Sequence, residues 1–409
     1  MLDLPAPRRR RATILSILAL AVLPVAGPAL ASDHLDSPSV IADSRADIGD
    51  LFAWMAPDGR HLNLVMTIVG HSFSDKIAYS FHIDQGRRFG RTAATIDLVC
   101  RFSSATSAAC DLGHADRALG DASHPEGLRS QKGSFRIFAG LRDDPFFNNV
   151  RGTRAMYDVA TKALADTARY DAAGCPMFDA QQTSAIREAW RHTDGKPATN
   201  FLRGWTPDSI VATIDVTAVT QGGPLVAIWS STTGPNGQID RAARPLTGNA
   251  LLLTLGSSDA QNAIKEKYNH ARPAQGRAFV RAIAKGAALY DGLDGHCGDG
   301  MLIDHRAAAA RRYWPMAELL ADDRLWVDTR ASECTQLFAV ERAALNGEHA
   351  LAHDCGGRTV NYDAVNVYRS LLANGTTTGI DDGVHADEAT HSIEQFPFLA
   401  APDAAVAKP

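Results

Sequence analysis

The pattern of apolar and polar positions changes its period along the chain. After residue 50, apolar and polar residues alternate in short runs, which is typical of half-buried strands. The sequence predicts strands at residues 51–55, 61–69, 76–84, 92–102, 134–140, 209–219, 224–231, 324–328 and 336–341. The first two flank Pro57-Asp58-Gly59, a tight-turn tripeptide. Closely spaced strands joined by such turns favour an antiparallel core.

Between these runs, the apolar residues are spaced three and four apart, as in amphipathic helices. The sequence predicts helices at residues 149–165, 178–191, 259–269, 274–290, about 305–321 and 362–373. The predicted fold class is therefore mainly β (α+β), with an antiparallel β-sandwich or barrel-like core. We expect one large domain at residues 32–409, with long helical insertions near residues 149–200, 259–321 and 362–374, because no repeat or low-complexity linker divides the chain.

The N-terminal segment has the three parts of a secretory signal peptide. Four arginines at residues 8–11 precede an apolar run at residues 12–25, and Ala29-Leu30-Ala31 forms a small-residue cleavage site. A membrane-spanning helix needs roughly 20 apolar residues, so the length of this run favours a cleaved signal peptide, and a retained anchor is the alternative. The sequence predicts a signal peptide at residues 1–31, a periplasmic or extracellular protein, and no membrane span after cleavage. The paired arginines leave both the Sec and the twin-arginine routes open.

All six cysteines follow the predicted cleavage site, and an even number in an exported chain indicates disulfide bonds. Short separations favour pairing of Cys100 with Cys110 and of Cys334 with Cys355. This choice leaves Cys175 for Cys297, although other pairings are open. The chain has no C-x-x-C-H motif and no C-x-x-C pair, which argues against c-type haem, a zinc ribbon or a thioredoxin-like centre.

The charge and the missing motifs narrow the function classes. The formal charge is -5, and it becomes about -8 without residues 1–31, which contain four arginines and one aspartate. A net negative chain does not favour nucleic acid, which binds clustered lysine and arginine. The chain also lacks a P-loop, a nucleophile elbow and a dinucleotide fingerprint. We therefore expect no nucleotide cofactor, and a small ligand or a protein as the partner.

Several separated segments together resemble one known family. They are DHLDSP at 33–38, ADIGDLFAW at 46–54, FHID at 81–84, GLRDDPFF at 140–147, QIDR at 238–241 followed by Arg244-Pro245 and Asn249, DDGV at 381–384 and FPFL at 396–399. In this order they are similar to the exported bacterial proteins grouped as domain-of-unknown-function 4331. The resemblance implies a secreted or periplasmic β-rich domain whose biochemical activity is not established. The opening segment departs from the commoner S-H-R-E-A-P form, so the ligand set here is expected to differ.

The opening segment is the first candidate metal site. Asp43, Asp47 and Asp50 are spaced four and three apart, so in a helical turn their carboxylates would share one face, with His34 nearby. Clustered carboxylates repel one another unless a cation or a basic group offsets them, and Ca²⁺ binds several such oxygens. The alternative is that these aspartates cap turns and form ion pairs with Arg45, Arg142 or Arg244.

Two later segments offer further metal ligands. The C-terminal segment carries four of them, Asp382, His385, Asp387 and His391. Their spacing differs from the H-E-x-x-H motif of metalloproteases, and a solvated loop before the apolar residues 396–399 is the alternative. The loop at residues 291–300 combines three aspartates with glycines, which suits either an ion site or a set of turns.

Charged residues in two other segments are candidate ligand-binding groups. Arg142, Asp143 and Asp144 follow a predicted strand, where loops often carry function. A second group comprises Asp240, Arg241 and Arg244. Structural salt bridges are the alternative for both groups.

These patterns together predict an exported binding or scaffold protein with an acidic cation site, holding Ca²⁺ or another divalent metal. The competing hypothesis is a secreted metal-dependent hydrolase or oxidoreductase that uses histidines and aspartates of the opening and C-terminal segments. The sequence contains no motif that names a reaction.

Overall fold

Two antiparallel sheets form the core of the computed structural model, which describes residues 37–167, 169–252 and 258–403. The predicted signal peptide and His34 lie outside the described residues. The first sheet, called sheet A here, has the strand order β1-β2-β11-β8-β7. Its strands are β1 (Ile48–Met55), β2 (His61–Ile68), β7 (Leu128–Arg129), β8 (Phe135–Leu141) and β11 (Asp208–Asp215).

The second sheet, called sheet B, has the order β13-β12-β3-β4-β5-β6, and β14 pairs with β12 beside β13. Its strands are β3 (Ala78–Gly86), β4 (Ala94–Phe102), β5 (Ser107–Leu112), β6 (Asp116–Asp121), β12 (Leu225–Gly234), β13 (Gly237–Ala242) and β14 (Leu325–Asp328). A separate two-stranded ribbon consists of β9 (His192–Thr193) and β10 (Lys196–Pro197).

Alternate residues of both sheets share one hydrophobic core. Leu64 and Ile210 from sheet A belong to the same buried cluster as Phe81 and Leu98 from sheet B. Because side chains alternate between the two faces of a strand, this cluster places the sheets face to face. The predicted fold class, a mainly β, antiparallel sandwich-like α+β fold, is confirmed.

The other face of sheet A is also buried. Phe52, Val65, Val211 and Phe138 are direct neighbours across four strands, and they pack against Phe398 and Leu399 of the C-terminal segment. We call residues 385–403 the C-terminal strap. Every residue of β1 is buried, which explains why its sequence is an almost continuous apolar run rather than an alternating one.

Helices fill the connections between strands. They are α1 (Pro38–Ala42), α2 (Val150–Thr167), α3 (Ala180–Trp190), α4 (Ser258–Asn269), α5 (Val280–Asp291), α6 (Trp314–Ala321), α7 (Ala339–Leu345) and α8 (Ala364–Asn374). Capping side chains and glycine residues determine where some of these helices begin and end. Asp179 and Gln182 form a capping box that begins α3, and Gly375, at φ 69°, ends α8 in the left-handed conformation that glycine favours.

Two element predictions need correction. The helix predicted at about residues 305–321 begins only at Trp314, after a short 3-10 turn at Ala309–Arg311. The strand predicted at residues 336–341 is wrong, because α7 begins at Ala339, and Glu341 on this helix forms a buried ion pair with Arg244. A short apolar run fits either element, so periodicity alone cannot decide between them. The hairpin of β5 and β6 was not predicted, because its strands are short and rich in small and polar residues.

The three predicted disulfide pairs are present. Cys100 bonds to Cys110, Cys175 to Cys297, and Cys334 to Cys355. The first bond joins directly opposed residues of β4 and β5. The second joins residues 122 positions apart and so closes the longest loop. None of the helices within the described ranges is both long enough and apolar enough to cross a membrane.

We predict that the three disulfides differ in their effect on stability. Replacing Cys175 and Cys297 with serine should lower the free energy of unfolding more than the same change at Cys100 and Cys110. The loops span 122 and 10 residues, and the longer crosslink restricts the unfolded chain more. The difference should be about 2 kcal/mol on loop entropy alone. Denaturant unfolding of the two double variants checks this, and an equal or reversed order would contradict it.

Candidate functional site

Two segments that carry predicted site residues, the one at residues 142–144 and the C-terminal strap, meet at the end of β8. Asp143 and Asp144 follow this strand and are both buried. The backbone N–H of Asp143 donates to the carbonyl oxygen of Ala400 in the C-terminal strap at 3.3 Å, and the N–H of Asp144 donates to the carbonyl oxygen of Trp205 at 3.0 Å. The aspartate pair is therefore held between the strap and the segment that leads into β11.

The strap brings Asp387 and His391 to Asp143. The Nε2 atom of His391 lies 3.1 Å from Asp387 Oδ2 and 3.5 Å from Asp143 Oδ2. Potential ligand atoms of the three side chains all lie within 4.8 Å of one another. The side chains of Asp143, Asp387 and His391 are only 8%, 4% and 0% exposed. We call these three residues the acidic site.

Hydrogen bonding fixes the proton on His391. The backbone N–H of Ala400 donates to His391 Nδ1 at 3.1 Å, so this nitrogen is an acceptor. In a neutral imidazole the other nitrogen then carries the hydrogen, and Nε2 is a donor toward the carboxylates. His391 therefore acts as a hydrogen-bond donor in the acidic site, and it has no lone pair at Nε2 for a metal ion.

The two carboxylates differ in proton affinity because their partners differ. Burial raises the pKa of Asp143 to about 7, with further increases from the carboxylates of Asp387, Glu388 and Asp403. Asp143 Oδ2 also accepts no hydrogen bond. Burial alone would raise the pKa of Asp387 too, but hydrogen bonds, the first from His391, outweigh it and lower that pKa. A proton shared by this pair therefore resides on Asp143.

Further buried charged residues lie next to the acidic site. Asp50 in β1 forms a buried ion pair with Arg358, whose guanidinium also stacks over Phe52 at 4.0 Å. Burial raises the pKa of Asp144 well above its usual value, and the charge of Asp50 raises it further. Its Oδ1 accepts a hydrogen bond from the N–H of Phe146 at 3.1 Å, while its Oδ2 accepts none. The interior thus holds two aspartates near one arginine.

A polar rim surrounds the acidic site. Asn200 Nδ2 donates to Asp387 Oδ1 at 2.9 Å and to Glu388 Oε2 at 3.2 Å. The exposed Glu388 also accepts from the N–H of Gly204. Trp205, which follows Gly204, is 38% exposed. The site is thus a closed, strongly acidic centre with carboxylate oxygens at its rim.

The structure places the other candidates of the opening segment separately. Asp43 forms an exposed ion pair with Arg45 at 2.8 Å and caps the short 3-10 turn Ser44–Ala46. Asp47 is buried just before β1. Asp50 lies within β1, so these three aspartates do not share a helical turn.

The remaining C-terminal candidates also lie apart from the acidic site. Asp382 is fully buried and accepts from the backbone N–H groups of Asn149 at 2.8 Å and Val384 at 2.9 Å. The exposed His385 lies 3.2 Å from Asp363 Oδ2. These residues order the start of the strap.

The candidate ligand-binding residues Arg142, Asp240, Arg241 and Arg244 all contact other residues of the protein. Burial lowers the pKa of Arg142, whose guanidinium stacks over Phe138 at 4.3 Å. Arg244 donates to Glu341 at 2.9 Å in an ion pair that is almost completely buried. The other two candidates of this group lie in β13. Asp240 accepts from the N–H of Ile48 at 2.8 Å, and Arg241 stacks over Tyr268 at 3.8 Å.

The glycine-rich loop at residues 291–300 forms turns around a buried carboxylate. Asp291 accepts hydrogen bonds from the N–H groups of Gly298 and Gly300 and from the hydroxyl of Tyr313. The bond between Cys175 and Cys297 anchors this loop. Asp294, His296 and Asp299 form a further acidic group, of which His296 and Asp299 are exposed.

Sequence reasoning missed three residues around the acidic site, Arg358, Asn200 and Asp403. Arg358 is preceded by two glycines, and Gly357 has a positive φ of 67° with no room for a side chain against the backbone of Ala53. This close approach brings Arg358 beside β1. The pair of glycines before Arg358 was the sequence feature that could have identified this arginine as a candidate.

Comparison with protein-family models, with curated proteins and with solved structures finds no match for this chain. The resemblance to domain-of-unknown-function 4331 therefore stays a prediction from the sequence segments.

We predict that the acidic site makes stability depend on pH. In chelator-treated protein, the free energy of unfolding should fall as pH rises from about 4 to 7. Asp143 and Asp208, both with a pKa of about 7 when folded, keep protons that the unfolded chain releases near its ordinary value of 3.8. Each group contributes a slope of up to about 1.4 kcal/mol per pH unit.

Asp143→Asn and Asp208→Asn should each reduce this slope, since each removes one proton taken up on folding. Urea unfolding at several pH values measures the slope. A slope unchanged in Asp143→Asn would show that this carboxyl titrates normally in the folded protein.

Proposed function

We propose that the protein is an exported β-sandwich binding or scaffold protein in which the acidic site holds a divalent cation, with Ca²⁺ as the preferred ion. The observation that carries the proposal is the meeting of Asp143 and Asp387 in a closed site. Their carboxylate oxygens lie within 4.8 Å of one another, with little exposed surface. Such a pair must share a proton or bind a cation.

The hydrogen bonds of His391 favour an oxygen-binding ion. With Nδ1 occupied by the N–H of Ala400, Nε2 carries a hydrogen, so the imidazole orients Asp387 rather than binding the metal. The remaining ligand atoms are carboxylate oxygens, which suit Ca²⁺ better than zinc or copper. Glu388 and Asp403 add negative charge at the rim.

Burial favours a cation over a bulky substrate. A group of side chains exposed by 8% or less admits an ion or a water molecule, whereas an extended substrate needs direct access to a catalytic residue. The function supported best is therefore stabilisation by a cation that locks the strap against the ends of the sheet A strands.

Export is part of the same proposal. It is supported by the three disulfides, which persist in oxidising compartments, and by the signal-like pattern at residues 1–31. The resemblance to domain-of-unknown-function 4331 agrees with it.

One observation favours the alternative, a metal-dependent hydrolase or oxidoreductase. A carboxyl with a pKa of about 7 beside an imidazole suits general acid–base catalysis near neutral pH. This function requires the strap to open so that a substrate reaches Asp143. Stoichiometric iron or copper in purified protein would favour it over the cation-stabilised scaffold.

Elemental analysis and thermal unfolding test the cation proposal. Wild-type protein purified without chelator should contain about one Ca²⁺ per chain, and chelator should lower its Tm by several degrees, because a ligand bound only to the folded state stabilises it. Asp143→Asn with Asp387→Asn should abolish both the bound calcium and the response to chelator.

Asp208→Asn is the matched control. It removes another buried carboxyl with a pKa of about 7, at the start of β11. It should keep the calcium and the response to chelator. A wild-type Tm that chelator leaves unchanged, together with protein that takes up no calcium on titration, would falsify the proposal.

A further inference from the structure

A cavity of about 320 Å³ opens beside sheet A, near the ends of its strands that lie farthest from the acidic site. Its lining comes from strands β2, β8 and β11, from the turn between β1 and β2, from β7 and the turn that follows it, and from the strap, which contributes Glu394 and Phe398. Strand pairing fixes the relative positions of the lining residues in β2, β8 and β11.

One row of side chains crosses four strands at this cavity. Asn63 of β2 is directly opposite Thr213 of β11, Thr213 is opposite Arg136 of β8, and Arg136 is opposite Arg129 of β7. Directly opposed residues project from the same face of a sheet. The row therefore aligns an amide, a hydroxyl and two guanidinium groups, and all four residues line the cavity.

Asn63 is buried with an unused donor. Its side chain lines the cavity although the residue is only 1% exposed. Its Oδ1 accepts from the hydroxyl of Thr213 at 3.1 Å, whereas its Nδ2 has no hydrogen-bond acceptor. Leaving a buried donor unsatisfied lowers the stability of the folded protein, so this amide is suited to a ligand that supplies an acceptor.

The two arginines of the row place positive charge at the cavity. Burial lowers the pKa of Arg136, and the charge of Arg129 lowers it further. Within the described part of the chain, neither guanidinium has a hydrogen bond or an ion pair, and Arg136 stacks over Phe396 at 4.0 Å. Stacking on an aromatic ring leaves the edge N–H groups of a guanidinium available to a ligand.

The acidic residues of the cavity form no ion pair with these two arginines within the described part of the chain. Asp58 is engaged by the ring of His61 at 2.6 Å and by the backbone N–H of Arg60 at 2.8 Å. Glu394 is exposed on the strap. The deep part of the cavity therefore presents donors from Asn63 and Arg136, with Arg129 at its opening.

We propose that this cavity binds the oxyanion group of a small molecule, a carboxylate or a phosphate. Guanidinium groups bind both oxyanions through paired N–H donors, and the Asn63 amide supplies another donor from the floor of the cavity. Phe398 gives the cavity apolar surface for the body of the ligand. The site lies at the other end of the sheet A strands from the acidic site, and its donors Asn63, Arg129 and Arg136 belong to the sheet and not to the strap.

Calorimetric titration of the full chain tests this assignment. The protein is dialysed against chelator and then into chelator-free buffer at low ionic strength, so that calcium does not precipitate phosphate. Inorganic phosphate and succinate are the two probes. Binding of phosphate alone identifies a phosphate ligand, binding of succinate alone identifies a carboxylate ligand, and binding of both supports a general oxyanion site.

Three variants locate the binding. Arg136→Gln should weaken the binding of the effective probe about tenfold or more, since it removes a charged hydrogen-bond donor. The exposed Arg129→Gln should weaken it less, and Asn63→Asp should weaken it strongly by placing a carboxylate in the floor. Near-ultraviolet circular dichroism confirms that each variant is folded.

Two controls distinguish binding in this cavity from binding elsewhere on the protein. Arg101→Gln removes an exposed guanidinium from β4 in sheet B and should leave the affinity unchanged. Asp143→Asn with Asp387→Asn should also bind the probe normally, even if it no longer takes up calcium. Absence of binding by both probes, or binding that Arg136→Gln and Arg129→Gln leave unaffected, would overturn the proposal.

Discussion

An antiparallel sheet that is apolar on both faces needs a cover on each side, and sheet A receives its second cover from the C-terminal strap. Phe398 and Leu399 pack on the row formed by Phe52, Val65, Val211 and Phe138. Burial of these side chains drives the strap onto the sheet, since apolar area removed from water is the main favourable contribution to folding. The positions of both proposed sites follow from this contact, because the strap contributes residues to each.

Covering the sheet also buries charge. The Asp50 and Arg358 pair, with Asp144 beside it, lies beyond one end of the apolar row. A buried ion pair is costly to desolvate and is tolerated only when further contacts support it. Here Arg358 stacks over Phe52 and donates to the carbonyl oxygen of Leu51, so its position follows from β1 itself. The second aspartate has no such arginine of its own, and burial together with the charge of Asp50 raises the pKa of its carboxyl well above its usual value.

Local sequence could predict the parts of the structure that depend on local physics. Alternation identified most strands, and short separations identified the bonds of Cys100 with Cys110 and of Cys334 with Cys355. The local sequence also marked Asp143 and His391 as candidate site residues, each within its own segment. It could not predict that the two side chains meet, because their contact depends on how the strap crosses sheet A. The sequence also did not indicate which residue forms the ion pair with Asp50. Arg358 reaches β1 only because Gly357 allows a close approach of the two backbones.

The acidic site and the strap are coupled by charge. Closing the strap brings the carboxylate of Asp387 to that of Asp143, and two adjacent negative charges with little access to water repel each other strongly. Protonation of Asp143 relieves this repulsion below a pH of about 7. The proposed divalent cation would relieve it above that pH, because it would bind both carboxylates in their ionised form. A proton and the proposed cation would thus be alternative occupants of one closed site, and the apolar contact of Phe398 and Leu399 would supply the free energy that holds either of them in place.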